Sequence, residues 1–247
     1  MKPSSENTLK ICYLDAFSGI SGDMTVGALV DAGANVERID SCLRSLGTGA
    51  RFEFEKTVRR GIAATKFKVF DCDSKAHRHL PQIITMIEDA DLPDVAREDA
   101  CSVFRRLGEA EAAVHQVPID KVHFHEVGAV DSICDIVASC FALALLGIDR
   151  LWCSPVNVGT GTVQTEHGLL PVPAPATSRL LEGRPIYSRG PVAELTTPTG
   201  AAIVRALATS FGPVPCMTVT SCGYGAGDND FLEQPNVLRA IIGQQIL

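Results

Sequence analysis

Positive charge is in short supply in this chain: 22 Lys and Arg stand against 29 Asp and Glu, a formal net charge of -7. A general binder of phosphate backbones needs the opposite balance, so nucleic acid is not an expected partner. An apolar leader is missing, since Met1 to Lys10 is polar, and the longest greasy stretch, Ala129 to Leu146, is interrupted by Asp131 and Asp135. Neither a signal peptide nor a membrane span is supported. The nine cysteines contain no C-x-x-C pair and are odd in number. Several fall in apolar patterns where Cys acts as a small hydrophobe, which suits a reducing, cytoplasmic compartment. Aromatic residues are scarce at 6%, but 46% apolar and 21% charged residues are ordinary for a globular protein and wrong for a disordered one. At 247 residues the chain fits one domain over 1–247 or two packed lobes, 1–118 and 119–247.

What is present is concentrated in His123-Phe124-His125-Glu126-Val127-Gly128-Ala129-Val130-Asp131-Ser132-Ile133-Cys134-Asp135. Val122 to His125 reads as a short strand, in which His123 and His125 point the same way. After Gly128 the pattern becomes helical, and Asp131 and Asp135 share one face near the positive N-terminal end. Imidazoles and carboxylates brought together in this way suit zinc, nickel, iron or manganese, and the residues do not choose among them. The same residues are compatible with a strand of half-exposed histidines followed by a capped helix.

The remaining order is strand, helix and turn in alternation. Leu9 to Asp15 reads as a strand running into Phe17-Ser18-Gly19-Ile20-Ser21-Gly22-Asp23-Met24 and a helix to about Asp31. Such a turn is either an anion cradle of backbone N–H groups and small hydroxyls or a tight turn with Ser21 or Asp23 as cap. Asp15 and Asp23 flank it. Val36 to Leu46 is a helix, and Arg51 to Val58 and Ile62 to Phe70 form a hairpin around Arg59-Arg60-Gly61. His77-Arg78-His79 is a second H-x-H, in a polar loop before a helix from Pro81 to about Ala90. A long amphipathic helix follows to Val114, closed by His115, where the helix dipole favours a histidine. Arg150 to Asn157 reads as a buried strand and Val158 to Gly168 as a glycine- and threonine-rich turn. Pro171, Pro173 and Pro175 give an extended entry to a helix ending near Leu181. Thr197 and Pro198 start another helix, expected to reach Thr209. A strand at Met217 to Ser221, a Gly223 to Asp228 loop and a strand from Asn236 to Ile242 finish the chain. The alternation predicts an α/β fold, a layered sandwich around a mostly central mixed sheet, with ligand loops at strand ends.

Four of these stretches together resemble the nickel insertion proteins of the nickel-pincer cofactor pathway, which serves lactate racemase. They are Asp15 to Met24, His123 to Ile133, His167-Gly168-Leu169-Leu170-Pro171-Val172-Pro173-Ala174-Pro175-Ala176-Thr177, and Thr197-Pro198-Thr199-Gly200-Ala201-Ala202. The resemblance covers almost the whole chain in order. It implies an enzyme that inserts nickel into pyridinium bisthiocarboxylic acid mononucleotide, forming one carbon–nickel bond and nickel–sulfur bonds, with CTP hydrolysed. It also implies lactate racemase maturation proteins as partners, and leaves a homo-oligomer open. Two departures are visible. The histidine-rich run of many family members is reduced to His77-Arg78-His79-Leu80, and the chain ends at Leu247, where longer members continue into a C-terminal domain tied to nucleotide binding. The expectation is an N-terminal part that works with a separate C-terminal part, through which CTP and a divalent cation bind.

On this reading the metal ligands are His123, His125 and Glu126, with Asp131 as a fourth ligand or as the group that orients the others, and His77 and His79 as a delivery pair. Ser18, Gly19, Ser21 and Gly22, with Asp15 and Asp23 beside them, hold the mononucleotide. Glu126, Asp131 or His167 takes the proton that leaves the pyridinium carbon. Two alternatives stay open: a metal-dependent hydrolase of a small phosphorylated substrate, since His and Asp clusters also activate water, and a non-catalytic nickel carrier.

Overall fold

The computed structural model describes residues 8–70, 78–122, 124 and 130–246. The first strand, β1 (Thr8–Asp15), alternates β-formers and leads through a turn to α1 (Gly22–Asp31), whose first-turn N–H at Met24 is capped by the Ser21 hydroxyl at 3.4 Å. Asn35 caps α2 (Val36–Ser45) in the same way. Strands β2 (Arg51–Arg59) and β3 (Ile62–Phe70) form the expected hairpin. Its two turn residues, Arg60 (φ 47°) and Gly61 (φ 84°), both take the left-handed conformation that a two-residue connection requires. Helices α3 (Leu80–Asp89), α4 (Asp94–His115) and α5 (Val130–Leu145) follow, with a 3-10 turn at Ile119–Lys121.

The second half carries β4 (Arg150–Cys153), β5 (Val156–Asn157), β6 (Thr162–Thr165), β7 (Gly168–Pro171), α6 (Pro175–Leu180) and β8 (Ile186–Tyr187). Then come α7 (Pro198–Leu207), β9 (Ala208–Phe211), β10 (Thr218–Ala226) and β11 (Val237–Ile246). Seven strands make one mixed sheet in the order β2-β3-β10-β11-β1-β4-β9, so strands from both halves of the chain share it. β1 is antiparallel to β11 and parallel to β4. Cys12 and Leu14 of β1 and Leu238, Ala240 and Ile242 of β11 join residues of α1, α5, α4 and α7 in one continuous core, with α1 lying on β10, β3 and β11. Each buried Leu, Ile or Val there contributes roughly 1.5–3 kcal/mol. The layered α/β sandwich read from the alternation is the fold observed.

Several boundaries differ from the sequence reading, each for a physical reason. Arg150 to Asn157 is two strands, because Pro155 cannot donate to a ladder and Ser154 turns to accept the Ala16 N–H at 2.9 Å. The turn expected over 158–168 contains β6, which pairs with β7. The last helix stops at Leu207 and its expected tail becomes β9. Gly223 and Gly225 are strand residues: a Cβ on Gly225 would lie 1.8 Å from the Met24 carbonyl oxygen, so these glycines let α1 lie directly on β10. Val122 and Phe124 are buried but belong to no strand, and His123 and His125 lie outside the described residues.

Candidate functional site

Three helices begin at one cleft. α1 brings Ser21, Gly22 and Asp23 to it, α5 brings Asp131, Ser132 and Asp135, and α7 brings Thr197, Pro198 and Thr199. Lys66, Phe67, Lys68, Val69 and Phe70 of β3 make one wall, and Glu194 and Asp228 complete the lining. The cavity measures about 450 Å³, within the range of small-ligand sites. Helix N-termini present partial positive charge and backbone N–H groups, which favour an anion. The side chains tell a different story, with five carboxylates against two ammonium groups among the lining residues. The cleft is therefore equipped for a ligand that carries negative groups and for a cation beside it.

The contacts inside it are close. Lys66, only 4% exposed, ion-pairs through Nζ with Asp23 and, at 2.8 Å, with Asp228. Burial works against its ammonium form, but Asp23 and Asp228 outweigh it and hold the pKa above its ordinary value. The Ser21 hydroxyl donates to Asp23, so the cap, the first-turn acid and Lys66 form one chain of contacts. Asp135 lies behind them. Burial, then the neighbouring Asp23 and Asp131 carboxylates, drive its carboxyl well above the usual range against the opposing pull of Lys66 and the Asp23 backbone N–H. Gly22 is what admits it, for a Cβ there would lie 2.5 Å from Asp135 Oδ2.

The residues singled out from sequence are distributed unevenly around this cleft. Asp131 lines it, as do Ser21, Gly22 and Asp23. Ser18 is buried and its hydroxyl accepts from the Gln234 side-chain amide at 2.9 Å, while Gly19 (φ 81°) lies against the Leu195 backbone. Both serve the turn. Asp15 points elsewhere, pairing with Arg239 across β1 and β11 beside Tyr13, whose phenol is pushed up to about 12 by burial and by Asp15. His79 starts α3, with its Nδ1 3.1 Å from the Val122 carbonyl, one residue before His123. His77, His123, His125 and Glu126 lie outside the described residues. Among the described residues no group of three or more His, Cys, Asp or Glu is arranged to hold a metal ion.

His167 is on the two-residue turn between β6 and β7 and lines a neighbouring cavity of about 280 Å³ with Glu111, His115 and apolar residues. Its ring centroid is 5.0 Å from that of His115. Pro198 lines both cavities. Three of the four sequence motifs thus supply residues to one cleft and the fourth lines the space beside it. The sequence reading missed Lys66 and Asp228 altogether. Lys66 stands in the strand Ile62 to Phe70, and nothing in its local sequence marks it as buried. Asn157, also missed, organises the loops behind the cleft: its side-chain amide donates to Phe17 and Arg189 carbonyls, both at 2.9 Å, and its own carbonyl accepts from Thr196 Oγ1 at 2.8 Å. Among the described residues no helix is long and apolar enough to cross a membrane.

Comparison with known proteins agrees with the motifs. A pyridinium-3,5-bisthiocarboxylic acid mononucleotide nickel insertion protein of Geobacillus kaustophilus is 48% identical over 248 residues, covering 96% of this chain and 60% of that protein. Putative nickel insertion proteins of Geobacter metallireducens and Citrifermentans bemidjiense are each 50% identical, over 96% of this chain and 61% and 62% of their own lengths. The chain spans about three fifths of the length of these curated relatives. No solved structure matches it. The family described as Nickel insertion protein matches residues 12–246, from within β1 to the last residue of β11. A match that runs through every element bordering the cleft, with relatives near half identity, makes this chain a member of the nickel insertion protein family.

Proposed function

We propose that this chain is the part of a nickel insertion enzyme that brings pyridinium-3,5-bisthiocarboxylic acid mononucleotide and nickel together in the cleft between α1, α5 and α7. One observation carries the reading: motifs scattered from Asp15 to Ala202 in sequence deliver Ser21, Gly22, Asp23, Asp131, Thr197 and Thr199 to one cavity. The name of the Geobacillus relative supplies the substrate. Such a molecule brings anionic thiocarboxylate and phosphate groups, which the three helix N-termini favour, and the metal brings the positive charge that the carboxylates favour. His123, His125 and Glu126, which precede α5 in the chain, hold the nickel with Asp131, and His77 and His79 deliver it.

Nickel enters the substrate by forming a bond to a pyridinium carbon as that carbon loses its proton, and the metal's remaining positive charge is met by sulfur. Asp131, which lines the cleft, or Glu126, before α5 in the chain, accepts the proton, and Asp135, whose burial favours the protonated carboxyl, stands beside Asp131. His167, around Pro198 in the adjacent cavity, is the more distant acceptor. CTP and a divalent cation act through the part of the relatives' length that this chain does not span, in a reducing cytoplasm that fits the eight free cysteines among the described residues. Lactate racemase maturation proteins are the partners upstream and downstream.

The test combines the chain with the C-terminal part of a longer relative, the mononucleotide, nickel and CTP, and follows product by mass spectrometry. Insertion that requires both parts and collapses in Asp131→Asn and Asp135→Asn supports the reading. Wild-type insertion in both variants together removes the cleft from the chemistry. Phosphate release with zinc or manganese and no insertion would instead make the protein a hydrolase, and tight nickel binding with no product would make it a carrier.

A further inference from the structure

We infer that Lys66 is the anchor for the anionic end of the substrate, and that Asp228 occupies its place until the substrate arrives; this deepens, and rests on, the function proposed above. The two partners of Lys66 are unequal. Asp23 sits in the first turn of α1 with its side chain 20% exposed, and Ser21 holds it from the other side. It is a fixed counter-ion. The Asp228 side chain is 85% exposed, and among the described residues Lys66 is its one ion-pair partner. Little holds it there beyond that contact.

The backbone just before Asp228 is pinned. The Gly227 carbonyl accepts from Arg59 Nη2 at 2.8 Å and Nε at 3.2 Å, and the Gly227 N–H donates to the Asn236 carbonyl at 3.0 Å. A Cβ on Gly227 would meet the Asn236 side chain at 2.4 Å, so the chain there is packed as well as bonded. Asp228 can therefore leave Lys66 by side-chain rotation, with no loop movement. Such rotations in exposed residues are fast, on the picosecond to nanosecond scale.

Charge accounting within the cleft gives the exchange its purpose. Lys68, the other lining cation, is more exposed and already paired with Glu55 at 2.6 Å. An anion entering among Asp23, Asp131, Asp135 and Glu194 needs a cation of its own, and Lys66 is the one whose outward partner is replaceable. Because one anion substitutes for another, the buried ammonium is never left half-paired, which avoids the large cost of an uncompensated buried charge. The surrogate also sets a threshold. A phosphate dianion displaces the Asp228 carboxylate more readily than a weak monoanion does, since charge-assisted contacts strengthen with the charge of the acceptor.

The probe is nicotinate mononucleotide, a pyridinium mononucleotide that needs no metal, titrated calorimetrically against the whole chain; nicotinate riboside, which lacks the phosphate, reports the source of the anion. Asp228→Asn keeps the size and removes the competing charge at an exposed position, and it is expected to tighten nicotinate mononucleotide binding by about five-fold. Lys66→Met is expected to weaken it at least about ten-fold and to abolish the gain from Asp228→Asn in the double variant, with Lys66→Arg partly restoring it. Should Lys66→Met not fold, the Asp228→Asn comparison decides alone. Unchanged, weaker or absent binding in Asp228→Asn overturns the inference, as does a gain that persists without Lys66. The binding assay is separate from nickel insertion: insertion without the Asp228→Asn gain removes only the anchor, and the gain without insertion removes only the proposed chemistry.

Discussion

Gly22 opens α1 directly against Asp135 of α5. The Cβ it lacks would lie 2.5 Å from one carboxylate oxygen, 2.6 Å from the Asp135 Cβ and 2.8 Å from the Thr199 methyl. All three helices at the cleft thus meet at a position where a single methyl does not fit. Gly22→Ala is expected to push α1 and α5 apart, costing about 1–3 kcal/mol of stability as overpacking does. Thermal unfolding measures the loss, and insertion assayed well below the melting point should fall with it. Wild-type stability in this variant would mean that the helices do not meet as described.

Asp135→Asn should separate stability from function. In the folded protein burial and the Asp23 and Asp131 charges raise the Asp135 pKa, whereas the unfolded chain releases that proton near pH 4. The folded state holds the extra proton as pH rises above that point, so this group progressively destabilises the wild type until its folded pKa is passed. The variant lacks the penalty. Its melting temperature relative to wild type is expected to climb from pH 4 towards pH 8, while insertion drops. A difference that stays flat with pH would contradict the assignment.

Asp31, at the other end of α1, behaves in the opposite sense. Burial tends to raise its pKa, but contacts from Lys56, the Tyr224 N–H and Thr65 outweigh this and lower it. A depressed carboxylate pKa stabilises the fold above the ordinary value and ceases to do so as pH falls through the folded one. Asp31→Asn should lower the melting temperature at pH 7 by about 2–4 °C, on roughly 1 kcal/mol for the weakened contacts. The gap should shrink as pH falls below the ordinary carboxylate range and close once the folded carboxylate is protonated. An undiminished gap at pH 3 would point to lost packing instead.

Thr197 caps α7 by accepting the Gly200 N–H at 3.2 Å, at the rim of the cleft. Thr197→Ala should cost about 1 kcal/mol and Thr197→Ser should recover most of it. Circular dichroism melts of the three proteins would show whether the order wild type, serine, alanine holds. A serine variant as weak as the alanine one would assign the effect to the lost methyl.

Composition, periodicity and motif order were enough to determine the class of fold, most of the elements, the Thr197 cap, the β2–β3 hairpin and the family, because each is written in residues near one another in the chain; whether Ser21 or Asp23 caps α1 was left to the structure, which chose Ser21. Asp131 and Asp135 could be placed on one helical face for the same reason. Which groups share a cavity is a different kind of fact. Asp15 and Asp23, flanking one turn, part company because β1 hands Asp15 to Arg239 while α1 hands Asp23 to Lys66. Gly223 and Gly225 read as a flexible loop until α1 is seen lying on them. The burial of Lys66 between Asp23 and Asp228 was decided by the packing of β3, α1 and the end of β10, since burial and charge pairing depend on neighbours far away in sequence that only the closed fold supplies.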